Sequence, residues 1–225
     1  MNAPWSPDYA AAEHGSNRRS GGREYMLGRG VDIVLSISAL VFLAPLLLLV
    51  AAMVYLVDPG PILFGHRRLG KDGQSFRCWK FRSMVVDADE RLRKLLAEDP
   101  QARAEWEQDH KLRNDPRITR IGHFLRKSSL DELPQFFNVL MGEMSLVGPR
   151  PIVKDEVSKY GRYFAEYCRV RPGITGLWQI SGRNDVSYRR RVAIDVTYVR
   201  SKSLALDLGI LFLTVPSVIA RRGSY

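Results

Sequence analysis

Residues 33–57 read IVLSISALVFLAPLLLLVAAMVYLV, 25 positions without a charge, and no other feature of the chain restricts its fold so strongly. As a helix rising about 1.5 Å per residue, such a run is long enough for the ~30 Å hydrocarbon core of a bilayer. It exceeds a signal-peptide core, and no small-residue cleavage site precedes Asp58-Pro59-Gly60, so a cleaved leader is set aside. Two features argue against a straight span. Arg18, Arg19, Arg23 and Arg29 stand before the run and Arg67, Arg68, Lys71 and Arg77 after it, so a span would carry one basic flank across the membrane. Pro45 sits mid-run, where its missing N–H and its ring kink or break a helix. The two legs, 33–44 and 46–57, would each be roughly 18 Å long, enough to reach about the midplane and return. The expectation is a re-entrant helix hairpin over residues 29–60, bent at Pro45, in one leaflet; a Pro-kinked single span is the rival. A second apolar stretch, 204–220, is interrupted by Asp207 and Pro216, too short and broken to span, and is expected to be an interfacial helix at the end of the domain, with a buried core helix the rival that pattern alone allows equally.

The rest of the chain has the composition of a folded domain, with 45% hydrophobic and 26% charged residues. Lys and Arg number 34 against 24 acids, a net +10, which points to an anionic partner: nucleic acid, a phosphorylated metabolite or an acidic lipid surface. Cys78 and Cys168 lie far apart without metal spacing, which suits a reducing compartment better than a disulfide framework. Residues 1–28, rich in Gly, Ser and Arg, are expected to be a tail, and residues 61–225 a cytosolic domain of α/β class, mainly helical with a small β-hairpin. That hairpin is expected from 61–68 and 74–84 around Lys71-Asp72-Gly73, whose Asp-Gly step is a two-residue turn signal, with Lys80 and Arg82 on one face. Helices are expected over 86–99 and 101–113, separated by Pro100, and over 130–141. Gly148-Pro149-Arg150-Pro151 and Arg171-Pro172-Gly173 read as rigid turns, each presenting an arginine.

Candidate chemistry is sparse elsewhere. Residues 65–72 nearly match a phosphate loop, but Asp72 replaces the hydroxyl that would hold magnesium, and a turn between strands follows instead of a helix. His14, His66, His110 and His123 lack metal spacing. The informative stretch is RKSSLDELPQ, residues 126–135. Ser129 to Glu132 has the form of a capping box, which alone would account for both Asp131 and Glu132. Against that, adjacent acids on a helix project about 100° apart, toward different targets, and Arg126 precedes them. Such a carboxylate can bind Mg²⁺ or attack phosphorus, so capping and catalysis stand level on the residues alone. Arg150, held extended between two prolines, suits bidentate phosphate binding, and Arg171, Lys80 and Arg82 add to the same hypothesis.

With the hydrophobic run and its mid-run proline, the segments KFRSM (80–84), LRKSSLDELPQFFNVLMGEMSLVGPRP (125–151), RPGITGLWQISGRND (171–185) and DVTYV (195–199) resemble the bacterial sugar transferase family, the monotopic phosphoglycosyl transferases. The resemblance covers residues 28–225, nearly all the chain. The short length and the SGRNDVSY and RRGSY stretches look most like the small exopolysaccharide-initiating members that move galactose phosphate onto undecaprenyl phosphate. The resemblance implies that Asp131 is the nucleophile on a UDP-sugar and that Glu132, with Asp131, holds Mg²⁺. It implies that Lys80, Arg82, Arg126, Arg150 and Arg171 bind phosphates, and that Asp195 belongs to the site. One departure is visible: Ala44 precedes Pro45 where some relatives have serine. The implied protein acts at the cytoplasmic face of a bacterial inner membrane on a UDP-sugar and undecaprenyl phosphate among membrane lipid, with no nucleic acid partner; a homodimer is compatible with it. Galactose is favoured over glucose as the sugar. The competing class is a membrane-tethered basic protein that binds nucleic acid or anionic lipid without catalysis, disfavoured because no basic stripe with interleaved aromatics is evident.

Overall fold

Helix α1 runs from Ser20 to Val57 in the structure, a computed structural model that describes residues 20–109, 112–181 and 187–219. The helix takes in residues 20–28, placed with the tail by composition; residues 1–19, His110, most of the SGRND stretch and RRGSY lie outside the described residues. Within α1, Tyr25–Val57 is long and apolar enough to cross a membrane. The helix continues through Pro45, where a bend or break was expected. Large apolar side chains along it lie open, Phe42 at 82%, Leu48 at 71% and Leu56 at 77% exposure, so protein packing does not cover this surface.

Two compact units divide the chain, one of residues 1–41, 67–78 and 135–223, the other of 42–66, 79–134 and 224–225. Strands β1 (Leu63–Leu69) and β2 (Ser75–Phe81) pair as the expected hairpin. Its turn is made by Asp72 at φ 56° and Gly73 at φ 69°, the left-handed pair that the Asp-Gly step favours.

In the second unit, α2 (Ala88–Glu98) and α3 (Pro100–Asp109) are split at Pro100, which begins α3 where its missing N–H costs nothing. Helix α4 (Arg120–Ser128) is capped by Thr119, whose hydroxyl accepts from Gly122 N at 2.9 Å. Residues Val50, Val54, Phe81 and Leu125 are buried together, so the later part of α1, the end of β2 and α4 share one core.

The first unit contains α5 (Gln135–Met141), β3 (Ser145–Val147), the short helices α6 (Val157–Tyr160) and α7 (Phe164–Tyr167), β4 (Gly173–Thr175), α8 (Leu177–Ile180), α9 (Tyr188–Ser201) and α10 (Leu204–Ile219). The continuous helix expected over 130–141 is instead a 3-10 turn, Leu130–Glu132, then α5, because Pro134 lacks the N–H to continue the ladder. Strands β3 and β4 pair in parallel, Ser145 opposite Gly173 and Val147 opposite Thr175, a contact the sequence reading missed. Arg171-Pro172-Gly173, expected as a rigid turn, instead leads straight into β4, and Pro172 O accepts from Ser145 N at 2.9 Å while Gly173 N donates to Pro149 O at 2.9 Å. A Cβ on Gly173 would lie 2.1 Å from Gly148 N, so backbone meets backbone where only glycine fits. Helix α10 combines both readings of its sequence: Ile210 is buried in the core with Phe76, Val139 and Tyr198, while Leu208, Phe212 and Leu213 are exposed.

Candidate active site

Lys80 lies one residue before the end of β2, and its Nζ reaches two acids, Glu132 Oε1 at 2.6 Å and Asp131 Oδ2 at 3.6 Å. Both acids stand on the 3-10 turn Leu130–Glu132. They are aimed there by Ser129, which ends α4 at φ 57°, a left-handed conformation uncommon for a residue with a Cβ. That conformation removes the expected capping box. Ser129 makes no side-chain cap hydrogen bond, and the Glu132 carboxylate goes to Lys80 instead. Helix capping therefore does not explain the adjacent acids.

The two carboxylates differ in setting. The Asp131 side chain is 10% exposed and that of Glu132 35%. Burial pushes the Asp131 carboxyl above the usual range and the Glu132 charge adds to this, while Lys80 and Arg126 pull it back down. Arg126 supplies the second cation; its Nε donates to Ser83 Oγ at 2.8 Å. Arg126 is itself lowered from its ordinary value, by desolvation and by like charge on Arg117. A desolvated carboxylate beside a lysine and within the field of an arginine is a suitable nucleophile toward an anionic phosphate ester, whose charge the cations offset.

The remaining expected residues make the following contacts. Arg82 is buried, with Nη2 donating to the Asp58 carbonyl and Nη1 lying 3.3 Å from the Asp58 carboxylate. It thereby ties the chain just after α1 to the end of β2; the alternation that suggested a shared face with Lys80 ends with the strand at Phe81. Arg150, Arg171 and Asp195 belong to the other unit. Arg150 is exposed, with its guanidinium 6.0 Å from the Trp178 ring centre. Arg171 donates from Nε to Gly142 O at 2.5 Å and from Nη1 to Tyr25 Oη, so it satisfies carbonyls at the end of α5, as Arg29 does through Val139 O and Leu140 O. Asp195 is 2% exposed and accepts from Tyr160 Oη at 2.7 Å; burial pushes its carboxyl up to about 6.

Residues passed over in the sequence complete the second unit. Ser83, inside KFRSM, bonds Arg126, and Asp58, in the apparently plain turn after α1, holds both Arg82 and Val86 N. Asp115 and Arg117 form a buried two-pronged pair at 2.8 and 2.7 Å, with Trp106 stacked on the guanidinium. Only the adjacency of Ser83 to Lys80 and Arg82 signalled any of these.

For a divalent cation, the donors present are the oxygens of Asp131 and Glu132. Among the described residues no group of three or more His, Cys, Asp or Glu side chains converges. Two carboxylates, one half-exposed, fit Mg²⁺, which keeps several waters and completes its shell with substrate phosphates.

Residues 23–221 match the family model described as bacterial sugar transferase. The chain is 50% identical over 220 residues to the exopolysaccharide production protein ExoY of Rhizobium meliloti, covering 98% of this chain and 96% of that protein. It is 54% identical over 204 residues to the undecaprenyl-phosphate galactose phosphotransferase of Salmonella typhimurium, covering 88% of this chain and 42% of that one. With the UDP-glucose:undecaprenyl-phosphate glucose-1-phosphate transferase of Escherichia coli it shares 38% over 230 residues, 99% of this chain and 45% of that one. The chain thus spans nearly all of one relative and less than half of the other two.

Proposed function

The chain belongs to the bacterial sugar transferase family, and from that premise we propose that it transfers a sugar 1-phosphate from a UDP-sugar to undecaprenyl phosphate, initiating an exopolysaccharide. The observation that carries the reading is the buried Asp131 carboxylate, 3.6 Å from Lys80 and within the field of Arg126, on the turn that follows the left-handed Ser129. In the proposed reaction an Asp131 oxygen attacks the β-phosphorus of the donor. The bond from that phosphorus to the bridging oxygen breaks, and UMP leaves with the electron pair. The phosphosugar remains on the carboxylate as an acyl phosphate. An oxygen of the lipid phosphate then attacks the same phosphorus, releasing Asp131 and forming the lipid diphosphosugar.

Lys80 holds both carboxylates in place before the donor arrives and offsets charge on the transferred group. Glu132, with Asp131, would hold Mg²⁺, whose charge would help neutralise the donor diphosphate. Galactose is the proposed sugar, supported by the higher identity to the galactose phosphotransferase, with glucose the alternative. The membrane arrangement proposed is a re-entrant α1 bent at Pro45, with both ends on the cytoplasmic side of the inner membrane; the basic residues on either side of the apolar run support it.

UMP release from UDP-galactose, UDP-glucose and N-acetylated UDP-sugars, with undecaprenyl phosphate and Mg²⁺ in detergent, tests the proposal. Release with one donor, abolished in Asp131→Asn, is expected; none with any donor, by folded protein, would overturn it. Capture of radiolabelled phosphosugar on the wild type and not on Asp131→Asn separates the covalent route from direct transfer.

A further inference from the structure

We propose that Ser83 is a positioning residue: its hydroxyl locks the Arg126 guanidinium beside Asp131, so that the outer amino groups of Arg126 stand ready for the oxygens of the transferred phosphoryl group. The inference rests on the phosphoryl-transfer reading above and assigns a role that reading leaves open.

Ser83 is a fixed point. It is 9% exposed. Its carbonyl accepts from Thr119 N at 3.1 Å, Met84 bridges Ile118, and Val85 N donates to Arg117 O at 2.9 Å, so the segment beyond β2 is clamped to the residues leading into α4. The first turn of α4 then sits on Ser83 itself. A Cβ on Gly122 would lie 1.9 Å from Ser83 O, an approach open only to glycine. Arg126 follows Gly122 by four residues, on the same face of the helix, and this brings its Nε to 2.8 Å from Ser83 Oγ.

What Arg126 leaves unused gives the contact its meaning. Among the described residues its Nη1 and Nη2 make no hydrogen bond or ion pair, although Asp131 and Asp115 are its strongest electrostatic attractions. Asp115 is spent on Arg117, which it holds through both oxygens. Asp131 lies closest to Lys80. The arginine is thus held through its Nε and not through its outer edge, the edge that grips a phosphate with two parallel hydrogen bonds. Lys80 and Arg126 thereby divide the work, one holding the carboxylates and the other kept open for the incoming oxyanion. Holding the fork in advance avoids ordering a long flexible side chain during the reaction.

The test compares Ser83→Ala, Ser83→Thr, Arg126→Ala and the Ser83→Ala/Arg126→Ala double variant. Single-turnover formation of the phosphosugar-enzyme and thermal melting are measured for each. Ser83→Ala is expected to slow formation roughly 10- to 100-fold, the scale of one hydrogen bond to a charged group, with melting within a few degrees of wild type. Ser83→Thr restores the hydroxyl and most of the rate, and the double variant is no slower than Arg126→Ala alone. Independent, multiplying losses in the double variant, or an unchanged rate in Ser83→Ala, would overturn the proposal. The Arg126 Nε–H resonance, followed by NMR in detergent, reads the contact without activity. Slow proton exchange in wild type and fast exchange in Ser83→Ala are expected; equal exchange in both would overturn the locking even if the enzyme is active. Absence of UMP release by the wild type would instead strike the function proposed above, while the exchange measurement still decides the locking.

Discussion

At the scale of single residues, the informative quantity is the charge state of buried acids. In the proposed reaction Asp131 attacks as the carboxylate, and burial raises its carboxyl, so the rate of phosphosugar-enzyme formation should fall with decreasing pH through a midpoint above the ordinary aspartate value of 3.8. Lys80 is the largest influence lowering that value; Lys80→Met should therefore move the midpoint further upward and slow the reaction at neutral pH by at least about tenfold, read from pH–rate profiles of single turnovers. Linkage runs the same way for stability. An acid whose folded value lies above its unfolded value stabilises the fold at low pH and loses that contribution as pH rises through the folded value. Asp131→Asn should accordingly abolish transfer while leaving the melting temperature at pH 7 unchanged or about 1–4 °C higher, since Lys80 keeps Glu132 as a partner. For Asp195 the window is explicit: its contribution is full below about pH 4 and is lost as pH rises through about 6. Asp195→Asn should flatten the melting temperature against pH across that interval, and an unchanged slope would count against the burial assigned to this carboxyl.

At the scale of elements, α4 is placed by a contact rather than by its own propensity. Gly122→Ala should separate its first turn from Ser83 and cost both stability and transfer, whereas on an exposed helix face the same change would stabilise by roughly 0.5–1 kcal/mol. A rise in melting temperature with full activity would refute the close approach. Helix α1 carries a topological expectation. Single cysteines placed just before residue 25 and just after residue 57, in a background free of Cys78 and Cys168, should both be labelled from the cytoplasmic side by an impermeant thiol reagent if the helix is re-entrant; labelling from opposite sides would establish a span.

Over the whole molecule, what could be read in advance was local. The apolar run, the Asp-Gly turn, the break at Pro100 and the adjacent acids are each specified within a few residues, and each is found where the pattern put it. What could not be read depends on residues brought together from afar. The β3–β4 pairing joins segments 28 positions apart, as Ser145 opposite Gly173 shows. Arg171 reaches the carbonyl of Gly142 and Arg82 reaches Asp58, partners that spacing along the chain does not reveal. Ser129 misled: its neighbours spell a cap, and only its left-handed backbone shows that the turn presents the acids instead. The shared core of Val50, Val54, Phe81 and Leu125 has a mechanical implication. The later leg of α1 packs through this core against Leu130, at the head of the turn bearing Asp131, so if that leg is embedded and Asp131 reacts as proposed, the height of the carboxylate above the bilayer is set like a float on its keel, by how deeply the leg sits. Transfer to a lipid phosphate should then depend on acyl-chain length, with an optimum thickness on either side of which the rate declines although the active-site chemistry is untouched.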